Sequence, residues 1–168
     1  MFNLISKKTS ELDSVLKNKI FLLKKEVWNY SIANQNKWFK KNLKKNDIHN
    51  MCFFKKKLVG YTALRRRTLK INKTSNKYFY FDTFLIKKDY RNMGVGSLLM
   101  KFNNLYIKNK NLISFLLCYK KTIEFYKKCG WQILNKKNFE FMDKKNKKLF
   151  CMIFPKKNKN KYYLFINK

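Results

Sequence analysis

Residues 91–96, Arg-Asn-Met-Gly-Val-Gly, form an R-x-x-G-x-G run just ahead of an apolar helical stripe of Leu98, Leu99, Phe102, Leu105 and Tyr106. That order suits an anion. Two glycines let the backbone come close to a phosphate, successive N–H groups point at it, and the helix dipole adds about half a positive charge. Arg91 adds a rigid cationic fork. A Gly-rich turn entering a helix is also a simple connection, so the six residues alone leave both readings open. The spacing is neither a Walker loop, G-x-x-x-x-G-K-[ST], nor the dinucleotide fingerprint G-x-G-x-x-G. Asp82 is a second chemical candidate, an acid inside an otherwise apolar run. A buried carboxylate without a partner is costly, so it needs a partner or a purpose. A strand position facing solvent or a lysine is the other account of it.

These residues require a strand before the loop and a helix after it. Residues 78–86 are a nearly unbroken β-branched and aromatic run, the pattern of a strand buried on both faces. Residues 112–119 (LISFLLCY) read as a second buried strand. Residues 122–131 read as a short helix closed by Gly130, a natural left-handed cap.

Together these segments resemble the GNAT superfamily of acyl-CoA-dependent N-acetyltransferases. In that family a central strand leads into [RQ]-x-x-G-x-[GA], and further along comes a helix ending F-Y-x-x-x-G-[FW]. Here the two pieces are residues 91–96 and 125–131, in that order, and the resemblance spans residues 51–154. It implies an α/β (α+β) fold, a mixed central β-sheet with a splayed strand pair and helices on both faces. It further implies acetyl-CoA as cosubstrate and an amine acceptor; the single histidine, His49, argues separately against a structural zinc site, and no metal is expected. The pantetheine arm would lie in the splay, bonded to backbone at Phe84, Leu85 and Ile86. The pyrophosphate would sit on Arg91, Asn92, Met93, Gly94, Val95, Gly96 and Ser97. Tyr126 aligns with the family tyrosine that approaches the coenzyme sulfur, which makes it the general acid; a tyrosine there can also simply fill the core. Asp82 falls where several members carry a strand glutamate that relays a proton, usually through water. Tyr119 stands where the family often has an asparagine holding the pantetheine arm, a departure from the family pattern. The paired N-terminal helices would roof the acceptor site, with Trp28, Tyr30, Gln35 and Trp38 as contacts or, alternatively, as packing.

Some features are shared with the aminoglycoside 2′-N-acetyltransferase-like branch: L-L-C…F-Y-x-x-x-G-W, the Trp-bearing N-terminal helices and Asp47-Ile48-His49. Aminoglycosides are polycations that need an acidic pocket, and this chain has nine acidic residues against 41 basic ones. A small amine or a protein amino group fits as well.

The net charge of +32 raises nucleic acid as a partner. Yet only Arg65, Arg66, Arg67 and Arg91 are arginines, and arginine is the residue suited to bidentate phosphate and base contacts. Abundant Lys, Asn, Ile and Phe with 4 Gly and 1 Pro is what an AT-rich coding sequence produces. Compositional bias on solvated faces is one account of the charge; the competing reading is a basic nucleic-acid-binding protein on a catalytically degenerate GNAT scaffold. At 168 residues the chain is expected to form one domain, 1–168, with a loose basic segment at 156–168. The start, MFNLISKK, is charged too soon for a signal peptide, no apolar run spans a membrane, and the cysteines show no C-x-x-C. These features point to a cytoplasmic protein with reduced thiols, monomeric or a homodimer.

The rest of the chain reads as an edge strand at 2–5, then a helix capped by Ser10 with Leu12, Leu16, Ile20, Leu23 and Val27 on one face. A second helix is capped by Ser31. A strand ends at Phe54, Lys55-Lys56-Lys57 turn, and a strand returns over 58–65. Residues 65–67 (Arg-Arg-Arg) read as a solvated strand end or a phosphate contact, and 70–77 as a polar turn. Later strands are expected at 131–134, 139–142 and 149–154, and a short one at 162–166.

Overall fold

Strand β2 (Ile48–Phe54) is buried along nearly its whole length. Alternation along a strand sends its side chains to two opposite layers. Met51 and Phe53 pack under two N-terminal helices, α1 (Ser14–Trp28) and α2 (Ile32–Asn42). Cys52 and Phe54 pack under a third helix, α3 (Val95–Asn109), through Val95 and Leu99. The computed structural model describes residues 1–71, 74–141, 149–155 and 162–164. They fall into two compact units, residues 1–65 with 83–103 and residues 66–82 with 104–168.

In the first unit, β2 pairs antiparallel with β1 (Phe2–Lys8) and with β3 (Lys57–Ile71). The register of β2 against β3 shifts between Cys52 and Phe53, a bulge that admits one extra residue. Helices thus cover both faces of this part of the sheet. Each layer also carries a buried polar cluster. Toward α3, Asn50 Nδ2 and Thr62 Oγ1 both donate to Asn103 Oδ1, at 2.7 and 2.8 Å. Asn103 Nδ2 in turn donates to the Leu99 carbonyl at 2.7 Å. Toward α2, the His49 ring stacks between Phe39 and Tyr61. Thr9 Oγ1 lies 2.9 Å from His49 Nε2 and the Tyr61 hydroxyl 2.7 Å from Nδ1, so each ring nitrogen has a hydroxyl partner. Burial pushes the imidazole down to about 3, with Lys24 and Lys17 adding repulsion.

In the second unit, the first part of β4 (Thr74–Ile86) runs parallel to β5 (Ile113–Cys118). Registered pairs go from Tyr78–Ile113 to Phe81–Leu116, and β4 continues past the last of them to Ile86. Strand β8 (Phe150–Phe154) lies antiparallel to β5 and to the short β6 (Gln132–Ile133). Strand β7 (Phe139–Phe141) pairs with β9 (Tyr162–Leu164), which also meets β3 at Leu69 and Lys70. Helix α4 (Ile123–Lys128) ends in a Schellman turn. Gly130, at φ 85°, donates to Lys127 O at 2.8 Å, and Trp131 donates to Tyr126 O at 3.0 Å. Among the described residues no helix is long and apolar enough to cross a membrane.

Several local expectations need correction. Helix α1 begins at Ser14 with Asp13 as its cap, the carboxylate accepting from Leu16 N–H at 2.7 Å. Ser10 instead lies in a 3₁₀ turn, because Glu11 turns back to accept from Lys8 N–H at 2.8 Å. The cap on Ser31 is as expected, accepting from Asn34 N–H. Strand β1 runs on to Lys8, and β3 and β4 extend to Ile71 and from Thr74, so most of the expected polar turn is strand. Arg65 and Arg67 are each only 5% exposed and Arg66 alone is solvated, inside a strand that runs on to Ile71, so residues 65–67 are not a solvated strand end. The Arg65 guanidinium lies over Trp38, at 5.7 Å from the ring centre. Strand β4 is fully buried on one face only; Tyr80, Asp82, Phe84 and Ile86 are half-buried on the other. Residues 142–148, 156–161 and 165–168, where a turn and a basic linker are expected, lie outside the described residues.

Candidate active site

The loop expected to hold an anion follows directly from β4. A 3₁₀ turn (Lys88–Tyr90) leads into it, and Arg91 Nε donates back to the Ile86 carbonyl at 3.1 Å. Asn92 and Gly94 both take left-handed backbone, at φ 62° and 75°. Asparagine and glycine are the residues that tolerate it, which explains why these types stand at these positions. A Cβ added at Gly94 would meet no atom within 4 Å, so the space beside it is open.

Helix α3 then starts at Val95, whose side chain is buried with Leu99 against Cys52 and Val59. Leu98 N–H bonds the Gly94 carbonyl at 3.0 Å. The amides ahead of it, at Val95, Gly96 and Ser97, have no acceptor within the helix, as at every helix start. Arg91, Asn92, Met93 and Ser97 are exposed, and Gly96 is half-buried. A phosphate fits this arrangement: N–H donors without an acceptor in the helix, an open glycine and a cation fixed on the strand end.

Close packing pins β3 beside the loop. Lys87 N–H bonds the Val59 carbonyl at 2.8 Å. A Cβ at Gly60 would come within 3.1 Å of both Ile86 Cδ1 and Leu99 Cδ2. Sequence reasoning did not single out Gly60, although a lone glycine inside a strand signals such an approach.

In the second unit, Tyr126 is buried on α4. Its ring meets Phe81 and Trp131 edge-on, each at 6.5 Å, and Phe125 at 5.3 Å. Asn104 fixes the end of this helix, donating to Cys129 O at 2.7 Å and accepting from Trp131 Nε1 at 3.0 Å. Burial pushes the Tyr126 phenol well above its usual range, and Cys118 and Cys129 add to the shift. The hydroxyl therefore keeps its proton at working pH. Asp82 is half-buried on the less covered face of β4. Tyr119 is 64% exposed just past β5, and its carbonyl accepts from Thr122 Oγ1 at 3.0 Å.

Of the four acceptor-side residues, Gln35 is engaged structurally. Its Nε2 donates to Phe21 O at 2.9 Å and Tyr30 O at 3.1 Å, tying the turn between α1 and α2. Trp28 and Tyr30 are exposed neighbours, ring centres 6.4 Å apart. Trp38 is half-buried beneath Lys24 Nζ at 4.6 Å. Sequence reasoning missed a group of lysines on α1 and the β2–β3 hairpin; the Lys55-Lys56-Lys57 run, read only as a turn, was the available signal. No cluster of three or more His, Cys, Asp or Glu side chains suited to a metal occurs among the described residues.

Solved structures of similar architecture include proteins named as acyltransferases and N-acetyltransferases. Escherichia coli ElaA superposes with a TM-score of 0.67 at 14% identity, over 91% of this chain and 99% of that one. An acyl-CoA N-acyltransferase from Pseudomonas aeruginosa gives 0.66 at 14% identity, with the same shares of the two chains. An aminoglycoside 6′-N-acetyltransferase complexed with coenzyme A gives 0.62 at 14%, over 92% of this chain and 99% of that one. At such identities the likeness establishes the fold, a mixed sheet flanked by helices. The family model for the acetyltransferase (GNAT) domain matches residues 47–133, more than half of the chain and inclusive of both the R-x-x-G-x-G loop and the F-Y-x-x-x-G-W turn. On that match, this protein belongs to the GNAT family of acetyltransferases.

Proposed function

We propose that the protein transfers an acetyl group from acetyl-CoA directly to a primary amine. The observation that carries this reading is the loop before α3, where open space at Gly94, two left-handed residues and a helix start converge beside Arg91. Bound acetyl-CoA supplies the acyl group as a thioester. The amides of Val95, Gly96 and Ser97 and the Arg91 guanidinium hold its pyrophosphate, while backbone at Phe84, Leu85 and Ile86 orients its pantetheine arm. Tyr119, in the place of the usual asparagine, flanks that arm. As the amine forms its C–N bond and the C–S bond breaks, Tyr126 holds a proton on its hydroxyl for the departing sulfur. Asp82 takes the amine proton, directly or through water.

Gly96→Val tests the cofactor site, since a β-branched side chain at the helix start occupies phosphate space. Acetyl-CoA affinity measured by calorimetry should fall at least about tenfold, or about 1.4 kcal/mol. Wild-type affinity in this variant removes the loop assignment. The activity itself is read as thiol release from acetyl-CoA against small amines, aminoglycosides, polyamines and peptides.

Asp82→Asn should slow turnover roughly tenfold near neutral pH, less than a full general-base loss because water can stand in. Raising the pH should restore part of the rate as more free amine becomes available. A pH–rate profile identical to wild type would exclude Asp82 as the base.

A further inference from the structure

The face of the sheet covered by α1 holds a cleft of about 420 Å³, away from the α3 face on which the phosphate loop's helix packs. That volume is the size of a small-molecule site. Its lining is amphipathic: Leu22, Leu23 and Leu58 beside Lys19, Lys55, Lys56, Lys57 and Lys87. Glu26 is the one carboxylate among the lining residues, and Lys87 Nζ contacts both its oxygens, at 2.6 and 2.7 Å.

The lysine lip is built on an unusual turn. Phe54 pairs with Lys57, so Lys55 and Lys56 form a two-residue hairpin loop, at φ 44° and 64°. Such loops favour Asn-Gly, which takes left-handed backbone readily. Two lysines there mean that the chain holds charge at this edge against its local conformational preference. Strain of that kind is a pointer to function. Lys19 Nζ reaches the Lys56 carbonyl at 3.4 Å and links α1 to the turn.

We infer that this cleft binds an acid, a carboxylate or phosphate carried on an apolar body. The leucines take the body and the lysines the charge, and the ligand's anion shares Lys87 with Glu26. This deepens the proposed function and rests on it in one respect: the acid is a substituent of the amine acceptor. Lys87 directly follows Ile86, the last residue of the strand assigned to the pantetheine arm, so the cleft adjoins the end of that strand. Five lysines facing one glutamate also repel polycationic acceptors.

The test uses 3-phenylpropionate and phenyl phosphate as anionic probes and phenethylamine as their cationic counterpart, followed by amide chemical shifts in NMR titrations. Both anions should shift residues of α1 and the hairpin, and the amine should not; the tighter of the two identifies carboxylate or phosphate as the group preferred. Lys19→Gln combined with Lys57→Gln should weaken anion binding at least fivefold. Lys40→Gln with Lys41→Gln removes the same charge from exposed positions on α2 and should change nothing. Equal weakening in both double variants, or shifts located elsewhere, overturns the cleft in favour of diffuse charge attraction. Thiol release should rank 6-aminohexanoate above its amide, and the reverse order overturns the link to the acceptor. Acetyl-CoA calorimetry on the wild type separates the two claims. Failure to bind acetyl-CoA sinks the transferase reading and leaves the anion titration to decide the cleft.

Discussion

Replacing Tyr126 by phenylalanine should lower turnover by ~10²- to 10⁴-fold, the loss expected if its hydroxyl is the proposed general acid. Acetyl-CoA affinity should stay within about twofold of wild type, which corresponds to less than about 0.5 kcal/mol. The separation is possible because the variant keeps the ring. Its edge contacts with Phe81, Phe125 and Trp131 are made by carbon atoms that phenylalanine retains. Burial raises the phenol's pKa, so the hydroxyl is protonated throughout the range in which amines become nucleophilic. Activity should therefore rise with pH without a descending limb from Tyr126. Kinetics of both proteins with one acceptor, alongside calorimetry, provide the check. A turnover rate equal to wild type would mean that the enzyme positions its reactants and lets solvent carry the protons.

Acidification below about pH 6.5 should destabilise the protein through His49. His49 is fully enclosed, with its imidazole held neutral between Thr9 and Tyr61 and its pKa lowered to about 3. The unfolded chain takes up this proton near 6.5 and the folded chain does not. The stability tied to His49 is therefore complete above ~6.5 and is lost as pH falls toward 3. The full window corresponds to roughly 4–5 kcal/mol, of which about 2 kcal/mol is gone by pH 5. Urea unfolding at pH 7.5, 6 and 5 measures the slope. In His49→Gln the slope over this interval should flatten, although the variant starts less stable. An unchanged slope would assign the acid sensitivity to other groups.

The elements that were legible are those whose evidence is local in sequence. The R-x-x-G-x-G loop and the turn closed by Gly130 announce themselves because left-handed backbone restricts residue type, and Gly94 and Gly130 both adopt it. The same rule fails at Lys55 and Lys56, which take that backbone without the residues it favours. At Ser10 and Asp13 two nearby caps competed, and Glu11 decided the matter by bonding back to Lys8. The burial of Arg65 was illegible because its company is tertiary: Trp38 comes from a helix far away in sequence. His49 likewise depends on Thr9, Phe39 and Tyr61 meeting across three elements. Asp82 reads as buried from its neighbours, yet the strand is covered fully on one side only, which sequence period alone does not reveal.

Asn103 acts as an indexing pin for α3. Its amide oxygen engages two strands at once, through Asn50 and Thr62, while its nitrogen returns to Leu99 one turn earlier. If α3 advanced or rotated by a single residue, all these groups would be stranded in an apolar layer, each at about 1–3 kcal/mol. The helix therefore has one allowed phase against β2 and β3. Since α3 begins at Val95, immediately after the loop, a pin two turns inside the protein sets where Gly94 and the first amides point. Substitutions such as Asn103→Leu would mistune the loop proposed to hold phosphate from a distance, without touching any residue in it.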